Sequence, residues 1–174
     1  SSDVCSSDLD KDAVSACVIL AEIAAWAKDQ GLSLYQLLQK IYVEYGFSKE
    51  KGISVVKKGK SGAEEIEAMM KKFRENPLTE IAGSKVTYFY DYSTLKGKDY
   101  AENETVTLDM PTTSNVLQYF TEDNTKVSIR PSGTEPKIKF YCEVHSKVKS
   151  IDELPEAEKA AEEKINQIKA SLGI

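Results

Sequence analysis

Residues 126–145, KVSIRPSGTEPKIKFYCEVH, alternate apolar and polar side chains on both sides of a six-residue turn. At a period of two, Val127 and Ile129 face one side while Lys126, Ser128 and Arg130 face the other. Beyond the turn, Ile138, Phe140, Cys142 and Val144 share a face, opposite Lys137, Lys139 and Tyr141. A helix would scatter these apolar residues around its circumference. Two strands joined by a short turn gather them on one face, with the polar set on the other. The chain must therefore build an antiparallel sheet covered on one side.

The rest of the sequence supplies the cover. Residues 53–57 read as a short strand, 59–62 as a turn and 63–75 as a helix with Ile66, Met69, Met70 and Phe73 on one face. Glu64 and Glu65 fall in its first turn and Lys71 and Lys72 near its last, as the helix dipole prefers; Asn76-Pro77 stops it. Residues 85–92 are a strand rich in aromatic residues, and the polar stretch 93–114 contains a short strand at 105–108. Strands at 115–121 and 126–130 form a hairpin across Glu122-Asp123-Asn124, and 137–145 follows. Pro155 opens a last helix striped with Ala157, Ala161, Ile165, Ile168 and Leu172, closed by Gly173. The order from residue 47 is βα, several strands, then α, which is an α+β fold with an antiparallel-leaning sheet.

Upstream lie two helices. One runs from Asp10 or Asp12 to about Asp29 and is apolar nearly all round, which predicts burial on several sides. Ser33 caps the other, which runs to Tyr45 and is closed by Gly46. Fewer than forty residues cannot enclose that much apolar surface by themselves. Residues 10–46 thus read as the helical remnant of a larger domain, and residues 47–174 as a separate C-terminal domain. Residues 1–9, SSDVCSSDL, are read as a non-native or flexible leader and set aside.

Charge and composition narrow the function. A net charge of −5 without a Lys/Arg block excludes a protein built to coat nucleic acid. Three cysteines without a CxxC spacing suit a reducing compartment, and the lone His145 excludes His-rich metal sites. No secretory signal opens the sequence, and the apolar stretch 13–27 is interrupted by Ser15 and Glu22, short of the ~20 residues that span a bilayer. The expectation is a cytoplasmic protein with no membrane and no nucleic-acid partner.

The turn at 131–136 holds the chemistry. Gly133 can expose consecutive backbone N–H groups as an anion nest, Ser132 and Thr134 add hydroxyls, and Arg130 brings a guanidinium shaped for phosphate. Pairing of the two strands would bring Arg130, Lys137 and Lys139 together beside the turn's mouth. The spacing is not that of a nucleoside-triphosphate loop. The residues alone leave two readings open, a phosphate cradle and a plain hairpin turn with solubilising lysines.

The run Arg130-Pro-Ser-Gly-Thr-Glu-Pro-Lys137-Ile-Lys139-Phe-Tyr141 resembles the phosphate-binding loop of the α-D-phosphohexomutases, the phosphoglucomutase/phosphomannomutase superfamily, and most of all its phosphoglucomutase branch. Asp10-Lys-Asp-Ala-Val and Ser33-Leu-Tyr-Gln-Leu-Leu resemble the last helices of that family's third domain. Residues 47–174 resemble its fourth domain, of TATA-binding-protein-like α+β fold. The resemblance implies an isomerase, an intramolecular phosphotransferase of carbohydrate metabolism, interconverting glucose 1-phosphate and glucose 6-phosphate. Arg130, Ser132, Gly133 and Thr134 would hold the sugar's non-reacting phosphate, with Lys139 and then Lys137 as weaker contributors. Glu135 would serve loop geometry.

The same resemblance exposes what this sequence lacks. The family's phosphoserine loop, its Asp-rich Mg²⁺ loop and its sugar-recognition loop have no counterpart here. No catalytic or metal-binding residue is therefore assigned; Mg²⁺ would be bound by a domain of the parent enzyme, and this chain alone would be inactive. Its partners would be a hexose phosphate, the missing N-terminal domains and, through exposed helices, other copies of itself. The alternatives are a stand-alone phosphosugar-binding module and a fragment of a phosphomannomutase or phosphoglucosamine mutase. A nucleic-acid binder, suggested only by the fold likeness, is disfavoured by the acidic charge. His145 reads as a surface residue, Lys57-Lys-Gly-Lys60 as a solvated turn, residues 88–92 as packing, and Met69-Met70 as core.

Overall fold

The computed structural model describes residues 12–57 and 59–174; the leader at residues 1–9 and Lys58 lie outside them. It has the expected α+β class. Helix α1 (Ala13–Asp29) and helix α2 (Leu34–Tyr45) lead into strand β1 (Phe47–Val56) and helix α3 (Lys60–Glu75). Strands β2 (Glu80–Ile81), β3 (Ser84–Asp91), β4 (Lys96–Asp99), β5 (Glu104–Thr107), β6 (Leu117–Thr121), β7 (Lys126–Pro131) and β8 (Lys137–Ser146) follow. A short 3₁₀ turn (Ile151–Glu153) and helix α4 (Leu154–Leu172) complete the order.

Seven strands form one sheet in the order β1-β8-β7-β6-β3-β4-β5, with β2 paired to the start of β3. Every pairing is antiparallel. The alternation at 126–145 works as the sequence requires. Ile129, Ile138, Phe140 and Cys142 are buried on one face, with Leu117 and Tyr119 from β6 beside them. Ile66, Met70 and Phe73 of α3 and Ile165, Ile168 and Leu172 of α4 pack on that same face as one core. Ala161, Ile165, Ile168 and Leu172 are the buried stripe expected of α4, and Gly173 ends that helix at φ +71°. The caps are those the sequence offers. Asp12 accepts from the Val14 and Ser15 amides, and Ser33 and Gln36 form a capping box.

Four expectations need correction. First, β1 starts at Phe47 instead of residue 53, because it pairs along its whole length with β8, from Phe47 opposite Ser146 to Val56 opposite Lys137. Second, α3 begins at Lys60, which leaves Glu64 and Glu65 beyond its first turn. Third, the polar stretch hides a complete hairpin, β4 with β5. The charged strand Lys-Gly-Lys-Asp shows no apolar alternation; the Tyr90 ring lies over Gly97, where a Cβ would come within 2.4 Å of it. Fourth, α1 is not buried within the described residues. Val14 is 75% exposed and Trp26 55%, and Ala27 alone is buried. Among the described residues, nothing covers the rest of that helix.

Strand β1 is an edge of the sheet. Its lysines Lys49 and Lys51 turn toward the helical layer. Lys49 Nζ lies 3.1 Å from Glu158 and 3.4 Å from Glu162 of α4, and Lys51 pairs with Glu162.

Candidate functional site

The loop between β7 and β8 is short and tightly tied. The Ser132 amide donates to the Lys137 carbonyl at 2.8 Å, and the Lys137 amide donates to the Glu135 carbonyl at 2.7 Å. From the neighbouring strand, the Lys57 amide donates to the Pro136 carbonyl at 2.9 Å. The Thr134 amide points at Ser132 Oγ, 3.4 Å away. Among the described residues the amides of Gly133 and Glu135 have no backbone acceptor, so the tip presents N–H groups outward. Gly133 is not what bends it. Its φ lies outside the left-handed region, and a Cβ there would meet nothing within 4 Å. What this glycine leaves is room for a close-lying ligand.

The predicted residues separate into two groups. Ser132, Gly133 and Thr134 line a cleft of about 820 Å³ shared with Ile66, Met70 and Arg74 of α3. Arg130 and Lys139 are cross-strand partners on the opposite, helix-free face of the sheet, and Ser54 of β1 is the next partner in that row. Arg130 is exposed and Lys139 half-buried. Lys137 lies on the same face of β8, but its amine pairs with the Glu135 carboxylate. That hydrogen bond, joined by the Lys137 and Lys139 charges, holds the Glu135 carboxyl below its ordinary range. Arg130 and Lys139 are thus brought together, while Lys137 is neutralised by the loop's own carboxylate.

Sequence reasoning missed two features. Ser54 joins the Arg130 row only because β1 lies beside β8, and strand order is not readable from alternation. Arg74 reaches from α3 across the cleft's end: its Nε donates to Asp91 at 2.9 Å and its Nη2 to Asn115 at 2.8 Å. Asp91 is buried and also accepts from the Ser93 amide and hydroxyl. The weaker candidates fall as expected. His145 is exposed and bonded to Glu143 at 2.8 Å, Lys57 pairs with Glu65 at 3.2 Å, and Met70 is core. Among the described residues, no cluster of three His, Cys, Asp or Glu side chains is placed to hold a metal ion, and no helix is long and apolar enough to cross a membrane.

Comparison with known proteins defines the class. The family described as phosphoglucomutase/phosphomannomutase, C-terminal domain, matches residues 53–161. The phosphoglucomutase of Staphylococcus haemolyticus is 35% identical over 136 residues, which cover 78% of this chain and 24% of that protein. The phosphoglucomutase of Staphylococcus saprophyticus is 32% identical over 145 residues, 83% of this chain and 26% of that one. A solved structure, parafusin (phosphoglucomutase) from Paramecium in its open form, matches 68% of this chain and 19% of its own at 15% identity and a TM-score of 0.36. The chain belongs to the phosphoglucomutase/phosphomannomutase family and carries its C-terminal domain. It spans about a quarter of the length of the curated relatives it matches.

Proposed function

We propose that this chain is the phosphate-gripping part of a cytoplasmic phosphohexomutase that interconverts glucose 1-phosphate and glucose 6-phosphate. One observation carries the reading: Arg130 and Lys139 stand side by side at the foot of a loop whose tip presents two hydroxyls and, among the described residues, amides with no backbone acceptor. A guanidinium matches two phosphate oxygens at once, an ammonium adds point charge, and N–H and O–H donors fill the remaining acceptors. Such a set grips a phosphate without reacting with it.

In that role residues 10–46 are the end of a preceding domain, and residues 47–174 form the gripping domain. The phosphate held here is the one not being transferred. Its binding fixes the reacting end of the sugar in the remainder of the enzyme, so that remote binding energy supplies orientation at the site of chemistry. Because the two half-reactions present different ends of the sugar, the same loop serves both phosphates in turn. The phosphoryl-donating serine and the Mg²⁺ that polarises the transferring group belong to segments beyond this sequence. The described side chains offer no donor set for the metal.

The experiment is an amide-shift titration of the full chain with glucose 6-phosphate and with glucose. Shifts centred on residues 130–139 with the phosphate ester, none with glucose, and loss of those shifts in Arg130→Ala are expected. Lys137→Ala should change little, since Glu135 already occupies its amine. A single such site should bind on the order of millimolar. Equal shifts with both ligands, or shifts that survive Arg130→Ala, would mean that the loop is only a turn.

A further inference from the structure

The β7–β8 loop carries one carboxylate among its donors, and the partner of that carboxylate is unusual. Lys49, Lys51, Lys57 and Lys126 each pair with a glutamate from another element: Glu158 and Glu162, Glu65 and Glu143. Those pairs brace one part of the fold against another. The pair of Glu135 with Lys137 joins two residues of the same short loop. The loop is already closed without it, because the Lys137 amide donates to the Glu135 carbonyl at 2.7 Å and the Ser132 amide to the Lys137 carbonyl at 2.8 Å. Neither bond uses the far end of either side chain.

A carboxylate at this point works against an anion site. Glu135 lines the cleft together with Ser132, Gly133 and Thr134, and its side chain is 60% exposed. The hydrogen bond from Lys137, and then the Lys137 and Lys139 charges, hold its carboxyl below the ordinary range, so it stays an anion. A phosphate at the tip meets like charge there. The same carboxylate occupies the Lys137 amine, which could otherwise answer the phosphate's charge. Lys137 and Lys139 alternate onto one face of β8, about 7 Å apart along the strand, so the flexible Lys137 stem stands within reach of a ligand held beside Arg130 and Lys139.

We propose that Glu135 is a built-in competitor for the phosphate. Without ligand its carboxylate holds the Lys137 amine. When a phosphate reaches the tip, that amine turns from Glu135 onto the phosphate, and the freed carboxylate swings out into water. Side-chain rotations suffice, since the backbone bonds that close the loop are untouched. The grip is therefore weaker than its donors alone would make it. That weakness suits the phosphate-gripping role proposed above, on which this inference rests. A sugar that presents first one phosphate and then the other must be released and gripped again in each turnover. A carboxylate that takes up Lys137 as the phosphate departs eases the release.

The test titrates inorganic phosphate and glucose 6-phosphate into the full chain, unaltered and as Glu135→Gln, Lys137→Ala and the double variant, followed by amide and carboxyl-carbon shifts. Glu135→Gln should bind both ligands about threefold more tightly, the worth of one exposed ion pair. Lys137→Ala should cost little in the unaltered chain and about threefold in the Glu135→Gln background, a coupling that a double-mutant cycle isolates. In the unaltered protein the Glu135 carboxyl carbon should shift on adding inorganic phosphate and stay in place on adding glucose. A carboxylate that served only the shape of the loop gives different results. Glu135→Gln would then bind no tighter than the unaltered chain, or Lys137→Ala would cost the same in both backgrounds. Either result overturns this inference and leaves the phosphate-gripping role standing. Failure of both ligands to bind the unaltered chain and Glu135→Gln alike overturns the two together.

Discussion

Replacing Arg74 with methionine keeps most of the side chain's packing and removes its charge from beside a buried carboxylate. The Asp91 side chain is 8% exposed, and Arg74 Nε lies 2.9 Å from its Oδ2. Removing one partner of a buried ion pair typically costs 3–5 kcal/mol, on the order of the desolvation penalty of the abandoned charge. Here the lower end applies, because Asp91 Oδ1 still accepts from the Ser93 amide at 3.0 Å and the Ser93 hydroxyl at 2.7 Å. The bond to Asn115 is exposed and adds less than ~1 kcal/mol. The expected loss is thus about 3 kcal/mol, a large share of the stability of a domain this size. Urea unfolding followed by far-UV circular dichroism measures it, provided the slope with denaturant is unchanged. Asp91→Asn in the Arg74→Met background should restore part of the loss, since the abandoned group is then neutral. If Arg74→Met loses under 1 kcal/mol, or if the second substitution worsens it, the pair is not the brace that the geometry implies.

Three further outcomes are expected. The purified chain should show no mutase turnover above a buffer blank in a coupled assay with glucose 1-phosphate, Mg²⁺ and a bisphosphate activator; measurable turnover would contradict the phosphate-gripping role. The exposed Val14, Val18, Ile19, Leu20 and Trp26 of α1 should drive concentration-dependent association visible by sedimentation, and a chain starting at Phe47 should not show it. Burial pushes the Cys142 thiol up to about 11 from its ordinary 9, so it should stay inert to thiol reagents near neutral pH while the exposed Cys17 reacts. The unfolded chain ionises this thiol first, so its contribution to stability is complete below about pH 9. As pH rises toward 11 that contribution falls by up to ~1.4 kcal/mol per unit, a decline that Cys142→Ala should remove.

How much could be read in advance depended on whether a residue's role was local or tertiary. The faces of β7, β8, α3 and α4 were legible because burial forces periods of 2 and 3.6 on the sequence, and Ser33, Gly46 and Gly173 announce their helix ends through local backbone chemistry. The pairing of Arg130 with Lys139 followed from the same alternation plus one short turn. What stayed hidden required knowing which strand lies beside which. Residues 48–52 of β1 are polar or glycine and become strand only against β8, and Ser54 enters the Arg130 row by that adjacency. The β4–β5 hairpin carries no apolar rhythm, because Tyr90 supplies from the next strand what Gly97 lacks. The free space beside Gly133 depends on what stands around the loop, which a single residue's identity does not carry.

The inward turn of Lys49 and Lys51 bears on how this protein would fail as well as how it folds. An edge strand of ten residues, paired on one side only, is a template onto which a second sheet can add hydrogen bonds without limit. Two ammonium groups set on the core side of that strand and matched to Glu158 and Glu162 of α4 would be stranded without those carboxylates if another strand displaced the helix. Aggregates of this chain should therefore form by helix contact and dissolve on dilution. They should not bind dyes that recognise cross-β fibrils, and a Lys49→Val, Lys51→Val pair should be what removes that protection.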